Sequence, residues 1–159
     1  MNTFNQYLFA VAFAISATIA PAVAAGKLDV SDAWIRAAPP NAMMLAGYAT
    51  LHNAGDAPIT INAVSAAGFD DTSMHETVLV GDVSKMRPLA TLTIAPGASV
   101  TFAPGGKHIM LMQPTTSPAP GNRVVITFNF ADGGQRSADF LIRDAAPGAT
   151  DAMPATHQH

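Results

Sequence analysis

The 159-residue sequence contains no cysteine. That absence excludes disulfides, thiol catalysis, zinc fingers, a cysteine-linked lipid anchor and any copper site built on a thiolate. Charge is scarce as well. Charged side chains make up 12% of the chain, against a usual share of about 25%. The eight basic residues form no run and the net charge is −3, so nucleic acid is not an expected partner. Glutamate occurs once, as Glu76, and nowhere do a nucleophile, a base and an orienting acid stand in a hydrolase-like pattern. What remains is apolar: 49% of the residues, too many for a disordered chain and enough for one self-contained core.

Residues 1–26 carry no charged side chain, and Leu8 to Ala20 is a largely apolar run of 13, with Ser16 and Thr18 its only polar members. Such a run is short for a membrane span. Ala22-Val23-Ala24 and Ala25 supply small residues for cleavage. Residues 1–25 therefore read as a secretory signal peptide, with no stable membrane insertion after its removal. An uncleaved single-helix anchor is the alternative. Export of a domain this small suggests a bacterial periplasm. Without disulfides, its stability there rests on burial.

The remaining chain divides into a folded domain, 26–144, and a tail, 145–159. Within the domain, alternation of apolar and polar residues predicts strands throughout. Asn122 to Phe130 is the clearest, with Val124, Ile126, Phe128 and Phe130 on one face. Leu28–Arg36, Leu45–Asn53, Ile59–Ile61, Thr72–Val80, Leu92–Ile94, Ser99–Phe102, Lys107–Met112 and Gln135–Arg143 are the others. Clusters of Pro, Gly, Asn and Asp separate them. No capped amphipathic helix follows the signal. Eight or nine short strands at this spacing predict an all-β Greek-key sandwich or barrel. The tail, rich in Ala, Pro and Thr, reads as mobile.

Five histidines and eight methionines are the unusual chemistry. Methionine as core filler and histidine as surface residue explain any one of them, but not their arrangement. His108 and Met110 are two apart in a predicted strand and share a face. Ile109 and Leu111 then point to the core, leaving an imidazole and a thioether on the non-core side, where Met112 continues; donors there are expected to be partly exposed and to carry little packing. His75 lies in another strand. A hairpin turning near residues 81–83 returns Met86 to the same end. Four such neutral donors make an N2S2 set. Thioether sulfur is soft and favours Cu(I), whose single charge needs no anionic ligand. Thioethers also escape the oxidation that would disable a cysteine site outside the cytoplasm.

The spacing of His75, ten residues, Met86, twenty-one residues, His108, one residue, Met110 resembles that of the PCu(A)C-type periplasmic copper chaperones. So does the surrounding text: Asp32-Ala33-Trp34-Ile35-Arg36, Gly47-Tyr48-Ala49-Thr50-Leu51, His75-Glu76-Thr77, Met86-Arg87, and Pro104-Gly105-Gly106-Lys107-His108-Ile109-Met110-Leu111-Met112. The likeness covers about residues 28–143. It implies a cupredoxin-like β-sandwich and one Cu(I) held by His75, Met86, His108 and Met110. It also implies delivery to a copper-accepting protein, either a cytochrome c oxidase subunit or another copper chaperone.

Other residues have plainer readings beside functional ones. Met74, by alternation, faces away from His75 and is expected to pack. Met112 reads as a cover for the site or an exchange ligand, and Met43 and Met44 as packing residues or a copper entrance. His52 reads as a surface histidine. Met153, His157 and His159 form a sparse tail cluster that is either inert or a weak Cu(II) chelate. Lys85, Arg87 and Lys107 adjoin ligands, as a positive rim for an acidic partner or as solvated strand charges. Glu76 is a candidate to support His75 by a hydrogen bond. A blue-copper electron carrier fails for want of a thiolate. A copper sink or resistance protein using the same residues, and an Ig-like interaction module, are the competing functions.

Overall fold

A computed structural model describes residues 27–144, and its regular structure there is entirely β. Ten strands run in the order β1 (Leu28–Arg36), β2 (Met44–Asn53), β3 (Ile59–Ala66), β4 (Phe69–Val80), β5 (Val83–Pro88), β6 (Leu92–Ile94), β7 (Ser99–Phe102), β8 (Lys107–Pro114), β9 (Arg123–Phe130) and β10 (Gln135–Arg143). The strand beyond the expected eight or nine is β5. The sequence shows only a returning segment there, because Val83–Pro88 is exposed along its whole length and has no apolar alternation to betray it. No helix among the described residues is long and apolar enough to cross a membrane.

The strands form one hydrogen-bonded sheet in the order β5-β4-β8-β7-β2-β1-β10-β9-β3-β6, with a further β8–β2 pairing. This is the expected cupredoxin-like β architecture. β2 is shared: Met44 to Gly47 pair with β8, and Ala49 to His52 pair with β7. The first and last strands are parallel neighbours, Trp34 opposite Leu141. The sheet encloses a single apolar cluster. Ile35 and Leu51 meet Ile61, Phe102, Ile109, Leu111, Ile126, Phe128 and Phe140 there. Each such side chain stabilises the fold by about 1.5–3 kcal/mol relative to exposure. Met74 is in this cluster, as alternation from His75 requires. The one buried amide is satisfied: Asn53 Nδ2 donates to the Ala57 and Ile94 carbonyls at 2.8 and 2.9 Å, and Gly55 N–H donates to its Oδ1.

The β4–β5 hairpin closes through Gly81 and Asp82, between the paired Val80 and Val83. Gly81 has φ +63°, which a two-residue hairpin turn requires at its first position and which glycine adopts without a steric penalty.

Candidate metal centre

Strand register places the four sequence-predicted donors. His75 on β4 is directly opposite His108 on β8. Met110 is opposite Ser73, two residues before His75. Met86 on β5 is opposite Thr77, two residues after His75. Directly paired residues point to the same side of a sheet, and residues two apart along a strand share that side. All four donors therefore lie on one face of three adjacent strands. An open cleft of about 320 Å³ runs over this face, lined by Met86, His108 and Met110 together with Met44, Tyr48 and Thr77.

The imidazoles are held in place. Their rings stack with centroids 5.9 Å apart and planes 23° from parallel. His108 Nδ1–H donates to the Gly106 carbonyl at 3.0 Å, a carbonyl that also accepts from Thr77 N–H at 3.1 Å. That bond assigns the neutral tautomer and leaves the Nε2 lone pair free. His75 Nε2 lies 3.0 Å from Ser73 Oγ. With Nε2–H given to the serine, the Nδ1 lone pair is free. His75 Nδ1 and His108 Nε2 are both buried and have no hydrogen-bond partner. Buried polar atoms are rarely left so. Two unpartnered nitrogens on facing rings, with two thioethers on the same face, are what a soft metal ion would satisfy.

The surroundings disfavour a charge on His75. Burial lowers the His75 pKa below its ordinary value, and the neighbouring His108 lowers it further, against an opposing pull from Asp71. Two neutral imidazoles are the ligand form. Among the described residues no three of His, Cys, Asp and Glu cluster as a metal site.

Three expectations need correction. His108 and Met110 are not on an open surface: they are 6% and 9% exposed. β8 is paired on both sides, by β4 and by β2 and β7, so its outer face is covered while Ile109 and Leu111 fill the core. Met86, on the edge strand, is 56% exposed. Glu76 does not support His75. It points to the other side of β4, where Arg87 Nη2 lies 2.8 Å from Oε1 and Lys107 Nζ 3.6 Å from Oε2. The hydrogen bond from Arg87 is the main cause that holds its carboxyl below the usual range. The same alternation turns Lys85, Arg87 and Lys107 away from Met86 and His108, so they form no rim around the donors. His52 bonds Ser99 Oγ through Nδ1 at 3.0 Å, away from the site. Met153, His157 and His159 lie outside the described residues, as does the expected signal peptide.

Sequence reading missed Ser73 and Gly106, which orient the two rings. Ser73 had a signal, being two residues before His75 on the same predicted strand. The Gly106 carbonyl had none, since a backbone acceptor is invisible in a side-chain pattern.

The LpqE-like family model matches residues 28–142. This chain belongs to that family, the PCuAC family. The PCuAC chain is 27% identical over 125 residues to Lxx21020 of Leifsonia xyli subsp. xyli, an alignment covering 78% of this chain and 74% of that one. Its fold matches the apo PCuAC domain from PmoF1 with TM-score 0.62 at 26% identity, over 76% of this chain and 97% of that domain. Apo-DR1885 from Deinococcus radiodurans matches with TM-score 0.59 at 26% identity, over 91% and 96% of the two chains. The CuI form of DR1885 shares the fold, with TM-score 0.53 at 24% identity over 79% and 82%.

Proposed function

We propose that this PCuAC protein is a periplasmic copper chaperone. It is exported by its signal peptide, binds one Cu(I) through His75, Met86, His108 and Met110, and delivers it toward cytochrome c oxidase, either directly to an oxidase subunit or through another copper chaperone. The observation that carries this reading is the pair of unpartnered nitrogens, His75 Nδ1 and His108 Nε2, on a sheet face that also presents two thioethers. The donor set supports Cu(I) over Zn(II) or Cu(II), because soft neutral sulfur matches a soft monovalent ion. The CuI form of DR1885 supports it too. Three donors on inner strands and one on an exposed edge suit a carrier. Met86 can leave the ion first and give its place to a partner's ligand, with no change in oxidation state. In the tail, Met153, His157 and His159 are read as an auxiliary catcher of Cu(II).

The test is an anaerobic Cu(I) competition titration of the mature chain against a coloured chelator. One tight equivalent is expected, weakened at least tenfold by Met86→Ala. Absence of competition at every chelator concentration would overturn the assignment. Transfer of the loaded ion to an apo-oxidase copper domain then separates delivery from simple sequestration.

A further inference from the structure

The four-donor site leaves three methionines of the described domain without a metal role: Met43, Met44 and Met112, besides the core residue Met74. Two of them fall on the ligand face. Met44 on β2 is directly opposite Met112 on β8, and one step along the same face Met110 is opposite Ala46. Paired Cβ atoms stand about 4.5–5.5 Å apart, and diagonal neighbours about 7–8 Å. Each thioether has three rotatable bonds, so three sulfurs that start this close can converge on one ion. Met44 lines the same cleft as Met86, His108 and Met110, yet it is 55% exposed.

The backbone fixes this arrangement. Gln113 N–H donates to the Met43 carbonyl at 2.9 Å, closing the β2–β8 ladder just beyond the Met44–Met112 pair. Gln113 itself sits at φ +52°, a conformation uncommon outside glycine. The strand therefore bends locally after Met112 while β8 runs on to Pro114, paired with Phe69, and the two methionines stay in register at the end of the β2–β8 ladder. Packing does not account for Met44, which is more than half exposed.

We infer that Met44, Met112 and Met110 form a second, all-thioether Cu(I) station at the mouth of the cleft, sharing Met110 with the four-donor site. The inference rests on the proposed function and extends it. Thioethers alone select a soft monovalent ion. Three neutral sulfurs without an imidazole hold it more weakly than the mixed site does. An ion moves between the two stations by exchange of neutral ligands. A bond to Met44 or Met112 forms as a bond to His75, His108 or Met86 breaks, Met110 stays attached, and copper remains Cu(I). No proton is needed to fill the mouth station, since thioethers do not titrate.

The experiment is methionine-methyl NMR of the full mature chain, titrated anaerobically with Cu(I). One equivalent should move the Met86 and Met110 methyls most and those of Met44 and Met112 to a smaller extent, as the same ion exchanges between the two stations. In His75→Ala/His108→Ala, one weak equivalent should remain, move Met44 and Met112, and bind with the same affinity from pH 7.5 to 5. Adding Met44→Leu and Met112→Leu to that variant should cut the remaining affinity at least tenfold. Leucine conserves volume at these exposed and half-buried positions, and the unfolding midpoint reports that the fold is intact. Met44 and Met112 methyls that stay fixed while Met86 and Met110 respond would overturn the mouth station and leave the four-donor site standing. Silence of all four would overturn both.

Discussion

Met86 and Met110 are both proposed copper ligands, yet their surroundings set different structural costs for removing them. Met86 is 56% exposed, so Met86→Ala should change apo stability by no more than about 0.5 kcal/mol. Met110 is 9% exposed and packed between β4 and β2, so Met110→Ala should cost about 2 kcal/mol or more through the cavity it leaves. Urea unfolding of the two apo variants, set beside their Cu(I) affinities, checks the contrast. Partly exposed ligands would cost little at either position, and the burial of Met110 corrects that expectation. Alternation tells which side of a strand a residue faces, but not what the neighbouring strands bring to that side. For the same reason the face shared by His75, Met86, His108 and Met110 was legible, and the cover over His108 and Met110 was not. Glu76 is the other such case. It adjoins His75 in the chain, but alternation sends its carboxylate to Arg87 and Lys107 on the back of the sheet. The pH response also belongs to single residues. Protons compete with Cu(I) for the imidazoles and not for sulfur. Affinity should therefore hold near neutrality and fall as pH drops through and below the ordinary histidine value of about 6.5. For the apo fold the sign is the same. His75 binds a proton less readily folded than unfolded, so stability present above the unfolded value is lost as pH falls toward the folded one. Thermal midpoints of the apo protein from pH 7.5 to 5 should decline, and less so in His75→Gln.

The β4–β5 hairpin is the element that carries Met86 to the site, and it is the least buried part of the sheet. Leu79, Val80 and Val83 around its turn are all exposed, and β5 has a strand on one side only. Its geometry depends on the turn. A Cβ at Gly81 meets nothing within 4 Å, so Gly81→Ala has no clash to suffer, only the backbone cost of φ +63°, about 1–2 kcal/mol. The expected result is a frayed hairpin in an otherwise intact domain: faster amide exchange in Val83–Pro88 and weaker Cu(I) binding, with His75 and His108 still paired. A loss of protection in β9 as well would show that the hairpin is not an independent unit. Nine of the ten strands were legible because each has an inward face that alternates with an outward one. β5 lacks an inward face, so only the turn before it announced it.

At the scale of the whole molecule, the sheet is closed in sequence terms by its ends. β1 pairs with β10 in parallel, and β10 also pairs along its length with β9. A parallel pair between the first and last strands cannot form until the whole domain is available. Removing residues 135–159 should therefore abolish cooperative unfolding altogether, whereas removing 150–159 should leave the midpoint unchanged and, if the tail is a catcher, lower Cu(II) uptake. Circular dichroism melts and Cu(II) stoichiometry on the two truncations check both statements. The fold class was readable from the spacing of turns and strands. The β1–β10 pairing was not, because nothing local in either strand names its neighbour.

The three strands that carry the proposed ligands also bear on how long the domain lasts once exported, as proposed. Small exported domains commonly lock distant segments together with covalent bridges, and this chain has no sulfur able to form one. The proposed ion, held by β4, β5 and β8, would do the same mechanical work: it would tie Met86 on the free edge to His108 across the strand between them, closing a loop of chain. Cargo then doubles as a detachable rivet. The loaded protein should outlast proteolysis at the hairpin, and each delivery should return a chain whose edge is open to attack. Turnover of the carrier would thereby follow its own emptiness, with no separate signal required.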